Sequence, residues 1–269
     1  MTSRLDAAVA ARGLARSRTH AAQLIDAGLV TVDGVGVVKA ATKVSDDARI
    51  EVAASDHYVS RAAHKLLAAL DAFDVSTHGR SALDMGASTG GFTQVLRERG
   101  ADPVVAVDVG HGQLSPLIAQ DPGIVAVEGF NVRYMTPETL RDAGGATEPP
   151  SVITGDLSFI SLAHVLPAVA AVAAPDADVI LLVKPQFEVG RTGVREGLVT
   201  DAGKRADAVA GVLWAAWDSG LGTFGVIASP IVGTHGNAEF LVHLRRRGSG
   251  PDDGNPTEWL STVNRLAGA

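Results

Sequence analysis

Short apolar runs punctuate the chain from residue 81 onward, at 81–84, 104–107, 124–127, 151–155, 179–183, 224–228 and 239–244. Between most of them, apolar residues return every three or four positions. Continuous apolar runs read as strands buried on both faces, and the longer period reads as the helices that cover them. The alternation predicts an α/β domain built on a seven-stranded, mostly parallel sheet with helices on both faces. A helix is predicted from Arg61 to Phe73 with Ser60 as its N-cap. Another, from Glu258 to Ala267, closes the chain around Trp259, Leu260, Val263 and Leu266, after a turn-rich linker from Gly248 to Pro256.

The first residues follow a different pattern. Leu5, Val9 and Leu14 recur at helical spacing up to Gly13 or just after, and Ser17 caps a second helix from Arg18 to Ala27, stopped by Gly28. Leu29 to Val32 and Val35 to Val38 read as strands around an Asp33-Gly34 hairpin turn, with a further strand from Ala48 to Val52. This is a small α+β module of about 55 residues, a size that can fold alone. Its bounds are read as 1–54, followed by a polar connector at 55–60 and the large domain at 61–269.

The chemistry concentrates in Leu83-Asp84-Met85-Gly86-Ala87-Ser88-Thr89-Gly90-Gly91-Phe92-Thr93. A strand runs into a glycine-rich turn and then a helix N-terminus, where α/β folds bind nucleotide-like ligands. Glycine lets the backbone approach a ligand closely. A Walker loop needs Lys-Ser/Thr after its last glycine, and Phe92-Thr93 stands there instead. A dinucleotide fingerprint puts a glycine where Ser88 stands, and Asp84 would repel a pyrophosphate. The loop suits S-adenosylmethionine, with Asp84 near the methionine end. Asp108 ends the next strand, 24 residues after Asp84, where a carboxylate grips ribose hydroxyls. A methyltransferase is the better reading; a ligand-free βα turn in which Asp84 caps the helix is the alternative.

Methyl transfer to a hydroxyl requires positioning and removal of a proton. Lys65 lies on the first helix of the large domain. Asp156 and Lys184 follow strand ends, where open α/β sheets bind ligands, and Glu239 opens the last strand. Lys184 is the candidate base; burial, Lys65 and a sulfonium would each favour loss of its proton. Lys65 would orient the attacking oxygen, and Asp156 and Glu239 would hold the two lysines, with Asp156 also facing the sulfonium. No histidine shows metal-ligand spacing; His64, His164, His235 and His243 read as structural or solvated, and Trp214 and Trp217 as core.

Composition bounds the partners. The 269 residues carry a net charge of −7 and no cysteine, which excludes disulfides and thiolate metal sites. The acidic excess lies beyond residue 59, since residues 1–59 hold seven Lys/Arg and seven Asp/Glu. Arg4, Arg12, Arg16 and Arg18 face Asp6 alone within the first twenty residues, which favours a local RNA-contacting face, with His20 and Lys39 beside it. Arg245-Arg246-Arg247 reads as an exposed charge run. The N-terminus lacks a signal-peptide core, and the longest apolar run, Leu162 to Ala174, is interrupted by His164 and Pro167, so a soluble cytoplasmic protein is expected; a monomer is expected separately.

Two resemblances sharpen this reading. Arg4-Leu5-Asp6, Gly13-Leu14-Ala15-Arg16-Ser17-Arg18, Ala21, Leu24-Ile25, Gly28-Leu29-Val30 and Val32-Asp33-Gly34 resemble the S4 RNA-binding domain, which implies binding of structured RNA. Together with Ser60-Arg61-Ala62-Ala63-His64-Lys65-Leu66, the loop from Asp84 to Thr93, Gly155-Asp156-Leu157-Ser158-Phe159-Ile160-Ser161, Val183-Lys184-Pro185-Gln186-Phe187-Glu188 and Gly236-Asn237-Ala238-Glu239-Phe240-Leu241, the chain resembles the TlyA family over residues 3–244. These are S4-bearing relatives of the FtsJ-like ribose methyltransferases. The resemblance implies a Rossmann-like class I methyltransferase fold and a catalytic tetrad at Lys65, Asp156, Lys184 and Glu239. It implies cofactor contacts at Asp84, Gly86, Ser88, Thr89, Gly90, Gly91, Phe92, Asp108 and Asp156, and an adenine-binding segment at Gly129-Phe130-Asn131-Val132-Arg133. It also implies 2′-O-methylation of cytidine in 16S and 23S ribosomal RNA within ribosomal subunits. The connector Asp56-His57-Tyr58-Val59 departs from the Arg-x-Trp-Val of some members. A pseudouridine synthase would need neither the loop nor the tetrad, a haemolysin would need an apolar or strongly amphipathic surface, and a non-catalytic assembly factor would not need an intact tetrad.

Overall fold

The computed structural model describes residues 2–26, 28–52, 57–144, 148–190, 194–233, 236–248 and 253–269. The chain forms two compact units: residues 1–57 with 230–237, and residues 58–229 with 238–269. The domain boundary read at residue 54, the start of the connector, His235 and residues 249–252 of the turn-rich linker lie outside the described residues.

The small unit begins with β1 (Thr2–Arg4), α1 (Leu5–Ala11) and α2 (Arg18–Asp26). Ser17 Oγ accepts the His20 N–H at 3.1 Å, the bond an N-cap makes. Then follow β2 (Val30–Val32), β3 (Val35–Gly36), β4 (Lys43–Ser45) and β5 (Ile50–Val52). The β2–β3 hairpin turns at Asp33 and Gly34, both at positive φ, and β5 pairs with the other edge of β2. Leu5, Val9, Ile25 and Val30 are its buried centre, whereas Leu14, counted in the apolar period, lies past the end of α1 and is exposed. Residues 230–237 join this unit through Val232, whose side chain faces Gly36.

The large unit contains α3 (Ala62–Ala72), β6 (Ala82–Met85), α4 (Gly91–Glu98), β7 (Val104–Asp108), α5 (Pro116–Ala119) and β8 (Ile124–Glu128). Next come α6 (Pro137–Gly144), β9 (Val152–Gly155), α7 (Leu166–Val172), β10 (Asp178–Val183) and α8 (Pro185–Glu188). It ends with α9 (Ala202–Asp218), β11 (Leu221–Ala228), β12 (Phe240–Arg246) and α10 (Leu260–Ala267). Its strands form one seven-stranded sheet in the order β11-β12-β10-β9-β6-β7-β8, parallel from β10 through β8, with β12 antiparallel to both neighbours. Each predicted strand is present, and the sheet is the expected mostly parallel one.

Side chains of β10 alternate between two cores. Val179, Leu181 and Val183 pack with Leu166 of α7 and Val209 of α9; Ile180 and Leu182 pack with Leu66 of α3 and Leu96 of α4. Both faces are therefore covered, which is why these strands read as continuous apolar runs. β11 starts three residues before the predicted 224, because glycines interrupt its apolar pattern. Gly225 follows an irregularity in the β11–β12 register, and a Cβ there would meet the Phe73 ring. After β8 the chain crosses back to β9 beside β6, so the carboxyl ends of β6 and β9 open a crevice at the reversal of strand order.

Candidate active site

The loop after β6 is shaped by its neighbours as much as by any ligand. Gly86 has φ +76°, and a Cβ on it would lie 3.0 Å from the Asp156 carbonyl oxygen, so only glycine fits at the floor of the crevice. Gly90 and Gly91 serve packing. A Cβ on Gly90 would lie 2.9 Å from Leu114, and one on Gly91 would lie 2.8 Å from the Ser60 side chain. Gly91 borders the smaller of two hollows described below, and Gly90 lies beside it in the same turn.

The Asp84 side chain is part of the core. Its side chain is buried and turned away from the crevice, with Thr93 Oγ1 donating to one oxygen at 2.6 Å and Thr154 Oγ1 to the other at 2.9 Å. The carboxylate ties β6 to α4 and β9. Burial pushes its carboxyl up to about 6 against the stabilising hydroxyls, with the charge of Asp156 adding to the rise.

Two adjoining hollows open at the carboxyl ends of β6, β7 and β9. The larger, about 500 Å³, is lined by Gly86, Ser88, Asp108, Phe130, Asn131 and Asp156, among others. Its charged lining groups are the carboxylates of Asp108 and Asp156. Asp108 is fixed by the backbone N–H groups of Ser88 at 2.9 Å and Gly110 at 2.7 Å, and Ser88 adopts φ +48° there. Asn131 Oδ1 accepts the Arg133 N–H at 3.0 Å and caps a short 3₁₀ turn, so the loop carrying Phe130 and Asn131 has a set shape. The smaller hollow, about 160 Å³, is lined by Ser88, Thr89, Gly91, Phe92, Asp156 and Lys184, with Ser60 and Ser158 beside them. A further hollow of about 700 Å³ lies at the amino ends of the strands, around Arg80 and Pro149, away from these groups.

The four residues expected to act together form one ladder. Lys184 Nζ lies 2.6 Å from Asp156 Oδ1 and donates to Ser158 Oγ at 2.8 Å. Lys65 Nζ lies 3.6 Å from Asp156 Oδ2 and donates to Glu239 Oε2 at 2.7 Å. Burial alone would raise the Asp156 carboxyl, but the two lysines outweigh it and hold it below the usual carboxylate range. Lys65 is only 5% exposed and bridges Asp156 and Glu239. Lys184 and Asp156 face the opening.

In the small unit, Arg4 and Arg18 both bind the Asp6 carboxylate. Arg16 and Lys39 are exposed, and His20 Nδ1 accepts the Arg16 N–H at 3.4 Å. Arg12, expected on the same face, is exposed and also tied to the backbone. Its guanidinium donates to the carbonyls of Ala48, Ser45 and Asp46 and fastens the loop after β4.

The C-terminal arginines are likewise occupied. Arg245 binds Asp178, Arg246 donates to the carbonyls of Ala170 and Ala173 at the end of α7, and Arg247 lies over Trp217 at 4.1 Å. Asp178 also receives Arg80 and His243, which places His243 in a structural role; together these donors overcome burial and hold its carboxyl well below the usual range. Trp214 was read as core but is 40% exposed. Sequence reasoning missed Phe159, which is 91% exposed, has φ +65°, borders the larger hollow and contacts Phe187. An apolar residue just past a strand end, between Ser158 and Ile160, carries no periodic signal that would have marked it as exposed.

Comparison with known proteins adds independent findings. Residues 58–246 match the family model of FtsJ-like methyltransferases, and residues 3–50 match the S4 domain. The chain is 49% identical over 246 residues to the 16S/23S rRNA (cytidine-2′-O)-methyltransferase TlyA of Mycobacterium tuberculosis, covering 90% of each. It is 39% identical over 242 residues to Hemolysin A of Brachyspira hyodysenteriae, covering 90% of this chain and 99% of that one. A solved structure from Streptococcus thermophilus, provisionally titled a hemolysin, superposes with a TM-score of 0.75 at 36% identity, covering 99% of this chain and 96% of that one.

Proposed function

The chain belongs to the TlyA family of S4-bearing, FtsJ-like methyltransferases, and from that premise we propose that it methylates the 2′-hydroxyl of cytidine in ribosomal RNA, using S-adenosylmethionine. The observation that carries this reading is the Lys184–Asp156–Lys65–Glu239 ladder at the edge of the crevice. The crevice suits the cofactor: Gly86 leaves its floor open, Asp108 is a fixed carboxylate on its wall that would accept from ribose hydroxyls, and its charged lining groups are carboxylates, which suit a cation and oppose a pyrophosphate. When bound, S-adenosylmethionine supplies an electrophilic methyl group on a positively charged sulfur.

The protein's own groups do the rest. Lys184, held as an ammonium by Asp156 and Ser158, first gives a proton to solvent; the neutral Nζ then takes the proton of the ribose hydroxyl as its oxygen attacks. Asp156 holds Lys184, and its carboxylate would favour the sulfonium of the bound cofactor. Lys65 and Glu239 hold Asp156 as positioning residues. The S4 unit supplies an RNA-binding face through Arg4, Arg16, Arg18, His20 and Lys39. The substrate is 16S or 23S RNA, or both, within ribosomal subunits, and the enzyme works as a cytoplasmic monomer. Some relatives carry haemolysin names, but among the described residues no helix is long and apolar enough to cross a membrane.

Lys184→Ala tests the mechanism. Transfer to ribosomal RNA should fall at least about 10²-fold, the usual contribution of a proton-transfer group, while calorimetry still registers S-adenosylmethionine binding. Near-wild-type transfer by that variant would remove Lys184 from the chemistry.

A further inference from the structure

We propose that Asp6 is a positioning residue for RNA, clamping Arg4 and Arg18 side by side so that their outward N–H groups meet one phosphate; this rests on the RNA-binding role given above to the S4 unit. Asp6 lies in the first turn of α1 and is buried, an unusual place for a carboxylate. Arg4 reaches it through two parallel bonds, Nε to Oδ1 at 3.1 Å and Nη2 to Oδ2 at 2.9 Å. Arg18 comes from the start of α2 and donates Nε to the same Oδ2 at 3.0 Å. The Ala7 N–H completes the set at 2.8 Å.

Two guanidinium groups that would repel each other thus converge on one oxygen. The bonds leave Arg18 with both terminal nitrogens and Arg4 with Nη1 directed elsewhere, and the side chains remain 59% and 42% exposed. The triad carries a net single positive charge and a fixed set of outward donors. A phosphate diester, with one negative charge and several acceptor oxygens, matches it in charge and in geometry. The Arg4 bonds, with Arg18 adding to them against the cost of burial, hold the Asp6 carboxyl well below the usual range, so the clamp stays charged across neutral pH.

The test turns on a sign. Asp6→Asn removes a negative charge from the RNA-facing unit, so charge counting alone predicts tighter binding. Positioning predicts the reverse, because an amide can accept on only one side and its N–H₂ opposes the arginines. Methylation kinetics on purified ribosomal subunits and direct subunit binding would be measured for full-length wild type, Asp6→Asn, Arg4→Ala/Arg18→Ala and the triple variant. With the clamp, Asp6→Asn raises KM and Kd about tenfold, equal to one lost charge-assisted hydrogen bond, and leaves kcat unchanged. In the Arg4→Ala/Arg18→Ala background the same change adds less than about twofold, since Asp6 acts through those arginines. Far-ultraviolet circular dichroism checks that the S4 unit stays folded; a loss in the triple variant as large as in the single one identifies a merely structural effect and overturns the proposal. Unchanged or tighter binding by folded Asp6→Asn also overturns it. Failure of the wild-type chain to bind or methylate subunits would instead overturn the RNA-binding reading beneath it.

Discussion

Asp84 offers a quantitative test of how the loop is built. Its carboxylate braces β6 against α4 and β9, and burial pushes its carboxyl up to about 6, against about 3.9 in an unfolded chain. The folded protein therefore holds this proton more tightly than the unfolded one. The contribution of Asp84 to stability is greatest below about pH 4 and is lost as pH rises through about 6. Worked between about pH 4.5 and 7.5, this linkage removes about 2 kcal/mol. Asp84→Asn is neutral at both pH values, and its amide can accept from one threonine hydroxyl and donate to the other. Urea unfolding of both proteins at the two pH values reads the effect as a double difference. Asp178, whose depressed carboxyl makes stability fall as pH drops, contributes equally to both proteins and cancels, whereas the coupling of Asp84 to the charge of Asp156 is part of the shift that the double difference reads. The variant should gain about 2 kcal/mol on the wild type between the lower and the higher pH. Equal pH dependence in the two proteins, or a relative gain by the wild type as pH rises, would refute the reasoning.

Glu239→Ala leaves Lys65 buried with its nearest carboxylate 3.6 Å away, and should lower unfolding stability by about 3–5 kcal/mol in urea titrations. Phe159→Ala should change stability by less than about 0.5 kcal/mol, because the side chain is exposed. If its ring stacks on a base, transfer to RNA should nevertheless fall about tenfold or more, measured as kcat/KM on subunits. Arg12→Ala should destabilise the S4 unit by about 1–3 kcal/mol in thermal unfolding while leaving the salt dependence of RNA binding unaltered. Arg16→Ala should do the opposite, flattening the salt slope with little effect on stability.

Much of this architecture was legible because it rests on local pattern. Parallel strands covered on both faces are apolar throughout, so β6, β7, β9 and β10 could be read from composition alone, and the residues just past their ends fell where the crevice opens. Lys184 and Asp156 were found that way. Where Asp84 points was not legible: all four residues of β6 are buried, so alternation cannot say whether its carboxylate faces ligand or core. The β1–β4 pairing joins Thr2 to Ser45 through strands of three residues, too short to show a period. Arg12 and the C-terminal arginines looked like surface charge because their partners are carbonyls, rings or carboxylates distant in sequence. Glycine-rich β11 hid its first three residues for a related reason, since Gly222 is required by the Asp253 carbonyl that passes against it.

The central claim is the identity of the acceptor atom. Purified 30S and 50S subunits would be incubated with the full-length chain and S-adenosylmethionine tritiated on its methyl group, and the RNA digested to nucleosides. The account predicts tritium in 2′-O-methylcytidine, absent with Lys184→Ala. Absence of label from both subunits, or label confined to a base or to ribosomal protein, would contradict it.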